Sequence, residues 1–149
     1  MIAVDTNILI YSVVTSDLLG RHAQAIELLK RIAPVGGIVP LQVIGEFLAV
    51  CTRKKTLSPA LAIQRISEFM GGFDCPPTDA HDLIDAFDLA NKKRLQFFDA
   101  LIIAVAHRAG ATLLLSEDMH DGLEVDGLRV VNPFVAGNDA VIANYLPNS

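Results

Sequence analysis

Apolar residues follow two rhythms along this chain. Short, mainly apolar runs mark residues 1–5, 111–115 and 128–131, and briefer ones lie within 36–40 and 73–75. Such runs, bounded by Gly, Pro or polar residues, predict buried strands of a parallel sheet covered on both faces. Between them the apolar positions recur at helical spacing. A short helix is expected over 7–14. A second, capped by Asp17, carries Leu18, His22, Ala25, Ile26, Leu28, Leu29 and Ile32 on one stripe and ends at Pro34. A third spans 41–54. A fourth opens at Ser58-Pro59 and runs to Met70, Pro being favoured at the first helical position. A fifth, capped by Thr78 or Asp79, reaches Arg94, and a sixth begins at Asp99 and closes at Gly110. Strands alternating with helices predict a single α/β domain over 1–149, a three-layer α/β/α sandwich around a mainly parallel sheet of about five short strands.

Composition fits one globular domain. The 149 residues are 52% hydrophobic and 19% charged, which suffices for a core without disulfides or structural metal. Cys51 and Cys75 lack metal-ligand spacing and read as reduced thiols of a cytosolic protein. The first basic residue is Arg21 and the apolar run 100–106 is too short to span a bilayer, so the expectation is a cytoplasmic protein without a signal peptide or membrane contact. The net charge of -5 argues against a simple electrostatic nucleic-acid binder. The basic clusters 53–55 and 92–94 each end a helix, where cations complement the helix dipole.

Three carboxylates break the apolar pattern, and a fourth follows a strand end in a polar stretch. In "MIAVDTNILIYSVV", Asp5 interrupts a segment otherwise suited to an interior. In open α/β sheets ligands bind at the carboxyl ends of strands, where Asp5 ends the first strand and Asp118, in "LLLSEDMHDG", follows the fourth. Glu46, in "LQVIGEFLAVC", shares a helix face with Val43 and Val50, and Asp99, in "QFFDALIIAVAHRAG", shares one with Ile102, Ile103 and Ala106. Each acid alone has a plain alternative. Asp5 and Asp99 could be N-caps, Glu46 could reach solvent or an Arg, and Asp118 could sit in a solvated turn. Asp79, Asp82, Asp85 and Asp88, three residues apart, read as a solvated helix face.

Carboxylates crowded at one site need a cation, and oxygen-only ligands suit Mg²⁺ or Mn²⁺ better than zinc. A bound ion of that kind activates water and polarises a phosphoryl oxygen, so the set suggests a metal-dependent phosphodiesterase. Phosphate-loop, dinucleotide-binding, serine-hydrolase and zinc-protease motifs are absent. The four His show no ligand spacing; His107 reads as structural, and His120 lies beside Asp118.

The stretches "VDTNILIY", "VIGEFLAV", "FFDALIIAVA" and "LLSEDMHDG" together resemble the four acidic motifs of the PIN domain, over nearly the whole chain, and among its members are similar to toxins of VapBC-type toxin–antitoxin pairs. The resemblance implies an α/β/α fold and Mg²⁺- or Mn²⁺-dependent endoribonuclease activity. It implies Asp5 and Asp99 as principal metal ligands, Glu46 completing the inner cluster and Asp118 as a fourth acid acting through water. Thr6 or Asn7 would hydrogen-bond an acid, and Ser116 matches a small hydroxyl residue of the fourth motif. Many members carry Thr-Asn-Asp where this chain has Ser116-Glu117-Asp118, so Asp121 is held as the alternative fourth acid. An RNA substrate, a homodimer and an antitoxin partner are also implied. An Arg from that partner would suit a pocket formed by Asp5, Glu46 and Asp99. Two other readings compete: a signalling receiver domain, which would need a lysine near the acids, and a catalytically silent PIN-like binding module.

Overall fold

The computed structural model describes residues 1–16 and 19–146 of the chain. In chain order the elements are β1 (Ile2–Val4), α1 (Thr6–Val13), α2 (Arg21–Ile32), α3 (Leu41–Lys54), α4 (Pro59–Gly72), α5 (Ala80–Lys93), α6 (Phe97–Arg108), β2 (Leu113–Leu115), β3 (Glu124–Val125), β4 (Leu128–Val131) and α7 (Asn138–Ala143). The sheet runs β1-β2-β4-β3, with β1, β2 and β4 parallel and β3 antiparallel to β4. Val4, Leu115 and Val131 stand in register across it, so three strands end at one edge. Helices flank this sheet in the expected sandwich. Among the described residues no helix is long and apolar enough to cross a membrane.

The sheet departs from the expected five strands. Residues 36–40 and 73–75 contribute single parallel bridges, Ala3 to Ile38 and Ile38 to Asp74, instead of ladders. Pro40, at the end of one stretch, cannot donate to a ladder, and Pro76-Pro77 close off the other. Gly37 is required here, because a Cβ would lie 2.5 Å from the Phe73 ring and 2.6 Å from Ile32. The short strand β3 was not expected. It pairs with β4 through Asp126-Gly127, whose φ angles of 47° and 86° are those a tight two-residue hairpin needs.

Helix boundaries hold best where a cap is explicit. Ser58 accepts the Leu61 N–H, and Asp79 forms a reciprocal capping box with Asp82. α6 begins at Phe97, two residues before the expected start, so Asp99 lies in its first turn and is not its cap. Asp17 and Leu18, the expected cap and first stripe residue of the second helix, lie outside the described residues; Gly20 stands at the N-cap of α2. α7 had no counterpart in the sequence pattern.

The reading of Asp79, Asp82, Asp85 and Asp88 as one solvated face is corrected at Asp82, which is only 1% exposed. A three-residue step falls about 60° short of a full turn, so this series winds around the helix. Asp82 thereby faces α6, where its carboxylate accepts Arg108 Nε at 2.9 Å and Nη2 at 2.8 Å. Ala86, Ala100, Leu101 and Val105 pack the same junction. The main core gathers Ile2, Ile8, Leu9, Ile38, Phe47, Ile102, Ile103 and the three leucines of β2.

Candidate active site

β1 ends at Val4, and Asp5 turns the chain into α1. Its N–H donates to the Leu115 carbonyl at 3.0 Å, which holds the residue against the end of β2. Its carboxylate has two fixed partners. Oδ1 accepts the Thr6 N–H at 2.7 Å, and Oδ2 accepts the fully buried Ser116 hydroxyl at 2.6 Å. Asp5 is therefore an N-cap, and it is also more than that. Ser116 in turn receives the Met119 N–H at 3.2 Å, so the loop after β2 is wound around this contact.

The next residues reach further acids. Thr6 Oγ1 donates to Glu46 Oε2 at 2.8 Å, and Asn7 Nδ2 donates to Asp118 Oδ2. Thr6, Asn7 and Ser116 thus each hold a different carboxylate. Glu46 receives a second donor, Gln42 Nε2 at 2.8 Å from Oε1, and that nitrogen also lies 3.2 Å from the Phe98 carbonyl. Asp99, half-buried in the first turn of α6, has no donor among the described residues; its charge is felt by Asp5, and those of Glu46 and Asp118 are felt by Asp99.

The electrostatics follow from burial. Desolvation above all, with smaller contributions from the charges of Asp99 and Glu46, pushes the Asp5 carboxyl up to about 6, against the hydrogen bonds of Ser116 and Thr6, which favour its charged form. Asp99 is likewise raised, by burial first and then by Glu46 and Asp118. None of the four acids takes part in an ion pair among the described residues; those pairs join Arg21 to Glu117, Arg65 to Glu68, Lys92 to Asp88, and Arg108 to Asp79 and Asp82. No three His, Cys, Asp or Glu side chains among the described residues already close around one ion position. The four acids form an open cluster, with Asp118 itself exposed to solvent.

Asp121 does not join them. It accepts the Asn132 N–H at 2.8 Å and two contacts from Asn138 at 3.1 Å, bonds that lower its carboxyl and tie the loop before α7. His120 is exposed and acts on Asp121, while His107 Nε2 lies 3.1 Å from the Asp126 carbonyl, bracing the β3–β4 turn. Sequence reasoning passed over two contributors. Gln42 stands one helical turn before Glu46, a spacing at which Gln–Glu contacts form. Glu117 receives Arg21 at 2.7 Å, whose guanidinium also reaches the Tyr11 hydroxyl and lies over the Tyr11 and Phe134 rings. No local spacing could have announced that second group.

Two cavities lie away from the acids, about 570 Å³ between α5, α6 and the β3–β4 turn and about 620 Å³ beside α3 and the start of α4. The first is lined by both acidic and basic side chains, among them Asp82 paired with Arg108, and the second mostly by apolar and neutral ones.

A search of curated protein sequences found no match. Among solved structures, the chain is similar to Mycobacterium tuberculosis VapC20, a sarcin–ricin loop cleaving toxin, at 20% identity and a TM-score of 0.65 over 79% of this chain and 90% of that one. It is also similar to a toxin–antitoxin complex from Klebsiella pneumoniae, at 20% identity and a TM-score of 0.62 over 89% of this chain and 98% of that one. These likenesses concern the fold. The PIN domain profile matches residues 2–120, a span that takes in Asp5, Glu46, Asp99 and Asp118 and stops short of Asp121, and the chain belongs to the PIN domain family.

Proposed function

We propose that this protein is a divalent-metal-dependent endoribonuclease that hydrolyses RNA phosphodiester bonds, and that it serves in the cytoplasm as the toxin of a type II toxin–antitoxin pair. One observation carries the reading: Asp5 is buried within the field of two further acids, and among the described residues no basic side chain is paired to any member of the cluster. Carboxylates in such surroundings either keep protons or take up a cation. The donors are all oxygen, and an open cluster suits an ion that keeps several waters, so the residues fit Mg²⁺ or Mn²⁺. Asp5 and Asp99 would be the principal ligands, with Glu46 completing the inner set and Asp118 acting through water. When bound, the ion would supply an activated water and charge stabilisation at the phosphate.

The chain's own residues orient that set. Ser116 and the Thr6 N–H each occupy one oxygen of Asp5 and leave its remaining lone pairs in fixed directions. Thr6 and Gln42 do the same for Glu46, and Asn7 for Asp118. All these donors are neutral, so they aim the carboxylates without discharging them. Family membership and the two toxin-related structural neighbours support an RNA substrate and an antitoxin partner. A homodimer belongs to the same proposal; α5 leaves Leu83, Ile84 and Phe87 exposed, apolar area of the kind that protein contacts cover. The test is incubation of the full chain with a mixed RNA pool in Mn²⁺ or in EDTA. Endonucleolytic fragments should form only with metal. Intact RNA under every metal condition would instead favour the silent binding module.

A further inference from the structure

Gln42 stands at a junction that the acid motifs do not describe. Its amide nitrogen donates at once to Glu46 Oε1 at 2.8 Å and to the backbone carbonyl of Phe98 at 3.2 Å. The first partner lies one turn further along α3; the second lies in the first turn of α6, next to Asp99. One side chain therefore ties Glu46 to the helix end that carries Asp99. The amide orientation is forced. Both partners are acceptors, so only the NH₂ group can face them, and the flipped amide would set an oxygen against two oxygens. The consequence is visible on the other side, where Gln42 Oε1 is buried with no hydrogen-bond partner among the described residues. A buried orphan acceptor is costly to keep. An apolar side chain would avoid that cost but would leave Glu46 free to turn.

The chemical type at this position also matters. A Lys one turn before Glu46 could pair with it as an ion pair, as Lys92 does with Asp88 on α5 at 2.7 Å. Such a pair would satisfy the carboxylate and take the place of an incoming cation. A neutral amide orients the carboxylate and leaves its charge unspent. We infer that Gln42 is a positioning residue for the acid cluster, holding Glu46 against Asp99 so that both present oxygens to one cation. This inference rests on the proposed metal-dependent activity.

The experiment compares Mn²⁺ binding, followed by the loss of the free-ion signal in electron paramagnetic resonance, with the Mn²⁺ dependence of RNA cleavage. Gln42→Met keeps the length of the side chain and removes the donor. It should weaken Mn²⁺ binding roughly tenfold, as loss of a group orienting a metal ligand does, and shift the half-maximal Mn²⁺ concentration for cleavage equally, with little change in rate at saturating Mn²⁺. Gln42→Lys should weaken Mn²⁺ binding further while leaving the melting temperature in EDTA undiminished. A built-in control exists in Gln64, which contacts Glu68 at the same spacing on exposed α4, at 3.3 Å. Gln64→Met should leave Mn²⁺ binding unchanged. Equal Mn²⁺ affinity in wild type and Gln42→Met overturns the inference while leaving the proposed function standing. A wild-type protein that binds no Mn²⁺ overturns both.

Discussion

Asp5 and Asp82 are both buried, at 5% and 1% exposure, and their carboxyls respond in opposite directions. Asp82 is held below its ordinary value by the Arg108 guanidinium, whose hydrogen bonds outweigh the cost of burial, with the Asp79 N–H adding to them. Asp5 has two hydrogen bonds as well, yet burial dominates and raises it, because its donors bring no charge and its neighbours are acids. The pair contrasts an acid neutralised within the fold with one that is not. The link between α5 and α6 carries its own cation. The cluster at the end of β1 has only neutral donors among the described residues, a balance that the proposed metal ion would complete.

The strongest way to break the comparison is to neutralise the acids of the cluster one at a time. Asp5→Asn and Asp99→Asn should each reduce RNA cleavage by more than the roughly hundredfold that loss of an orienting partner can cost. Removing a charge from a crowded acidic site relieves repulsion, so melting temperatures in EDTA should not fall. Near-wild-type cleavage by Asp99→Asn in Mg²⁺ would remove it from the catalytic set.

The second test uses pH. A carboxyl raised in the folded state binds its proton more tightly there than in the unfolded chain, so its ionisation opposes folding. The contribution of Asp5 therefore erodes as pH rises from its ordinary 3.8 through about 6, and Asp99 acts in the same sense. For Asp5 the shift corresponds to about 3 kcal/mol at neutral pH. Asp82, lowered in the fold, works the other way: its stabilisation is present above its ordinary value and is lost as pH falls through its depressed one. Thermal melts in EDTA should show stability falling between pH 4 and 7 in wild type, and a flatter profile in Asp5→Asn. Millimolar Mn²⁺ should raise the melting temperature more at about pH 7.5 than at about pH 5, because protons compete for the same oxygens.

Asp82→Ala sharpens the contrast from its other side. It removes two charge-assisted hydrogen bonds and the capping-box contact, while Arg108 remains partly solvated. Denaturant unfolding should report a loss of about 1–3 kcal/mol, with cleavage by the folded protein unchanged. Loss of Mn²⁺ binding in this variant would mean that the two regions are coupled.

The smallest effect separates the two acids of the last motif. Asp118→Asn should slow cleavage about tenfold, as expected for a group acting through an outer contact, and Asp121→Asn by less than about threefold. The reverse order would place the fourth acid on Asp121, despite its bonds to Asn132 and Asn138.

Much of this molecule is legible in its sequence, for local reasons. α3 and α4 follow from helical periodicity, and α5 from its Asp79 cap, because those interactions lie within one turn. The stretches 36–40 and 73–75 were read as strands on apolar content alone, but a ladder depends on which neighbours can donate, and flanking prolines leave single bridges. β3 carries no apolar run, and only its Asp126-Gly127 turn marks it. Asp5, Glu46 and Asp99 stood out as candidates because each breaks an apolar pattern, which is costly for an unpartnered acid, whereas Asp118 lies in a polar loop and stood out only by its place after a strand.

The sequence by itself set Asp5, Glu46 and Asp99 on apolar segments, whereas the burial of Asp82 was decided by the packing of α6 against α5. The sequence could not determine what each acid would meet. Ser116 reaches Asp5 from 111 residues away and Thr6 reaches Glu46 from 40, distances over which no local rule operates. Asp82 and Asp5 are both acids at the start of helices, and only the packing of α6 brings Arg108 to one and carboxylates to the other. Burial is written only in part in the pattern of a chain, and the charge state of a buried group depends on its partners, which are chosen by tertiary structure.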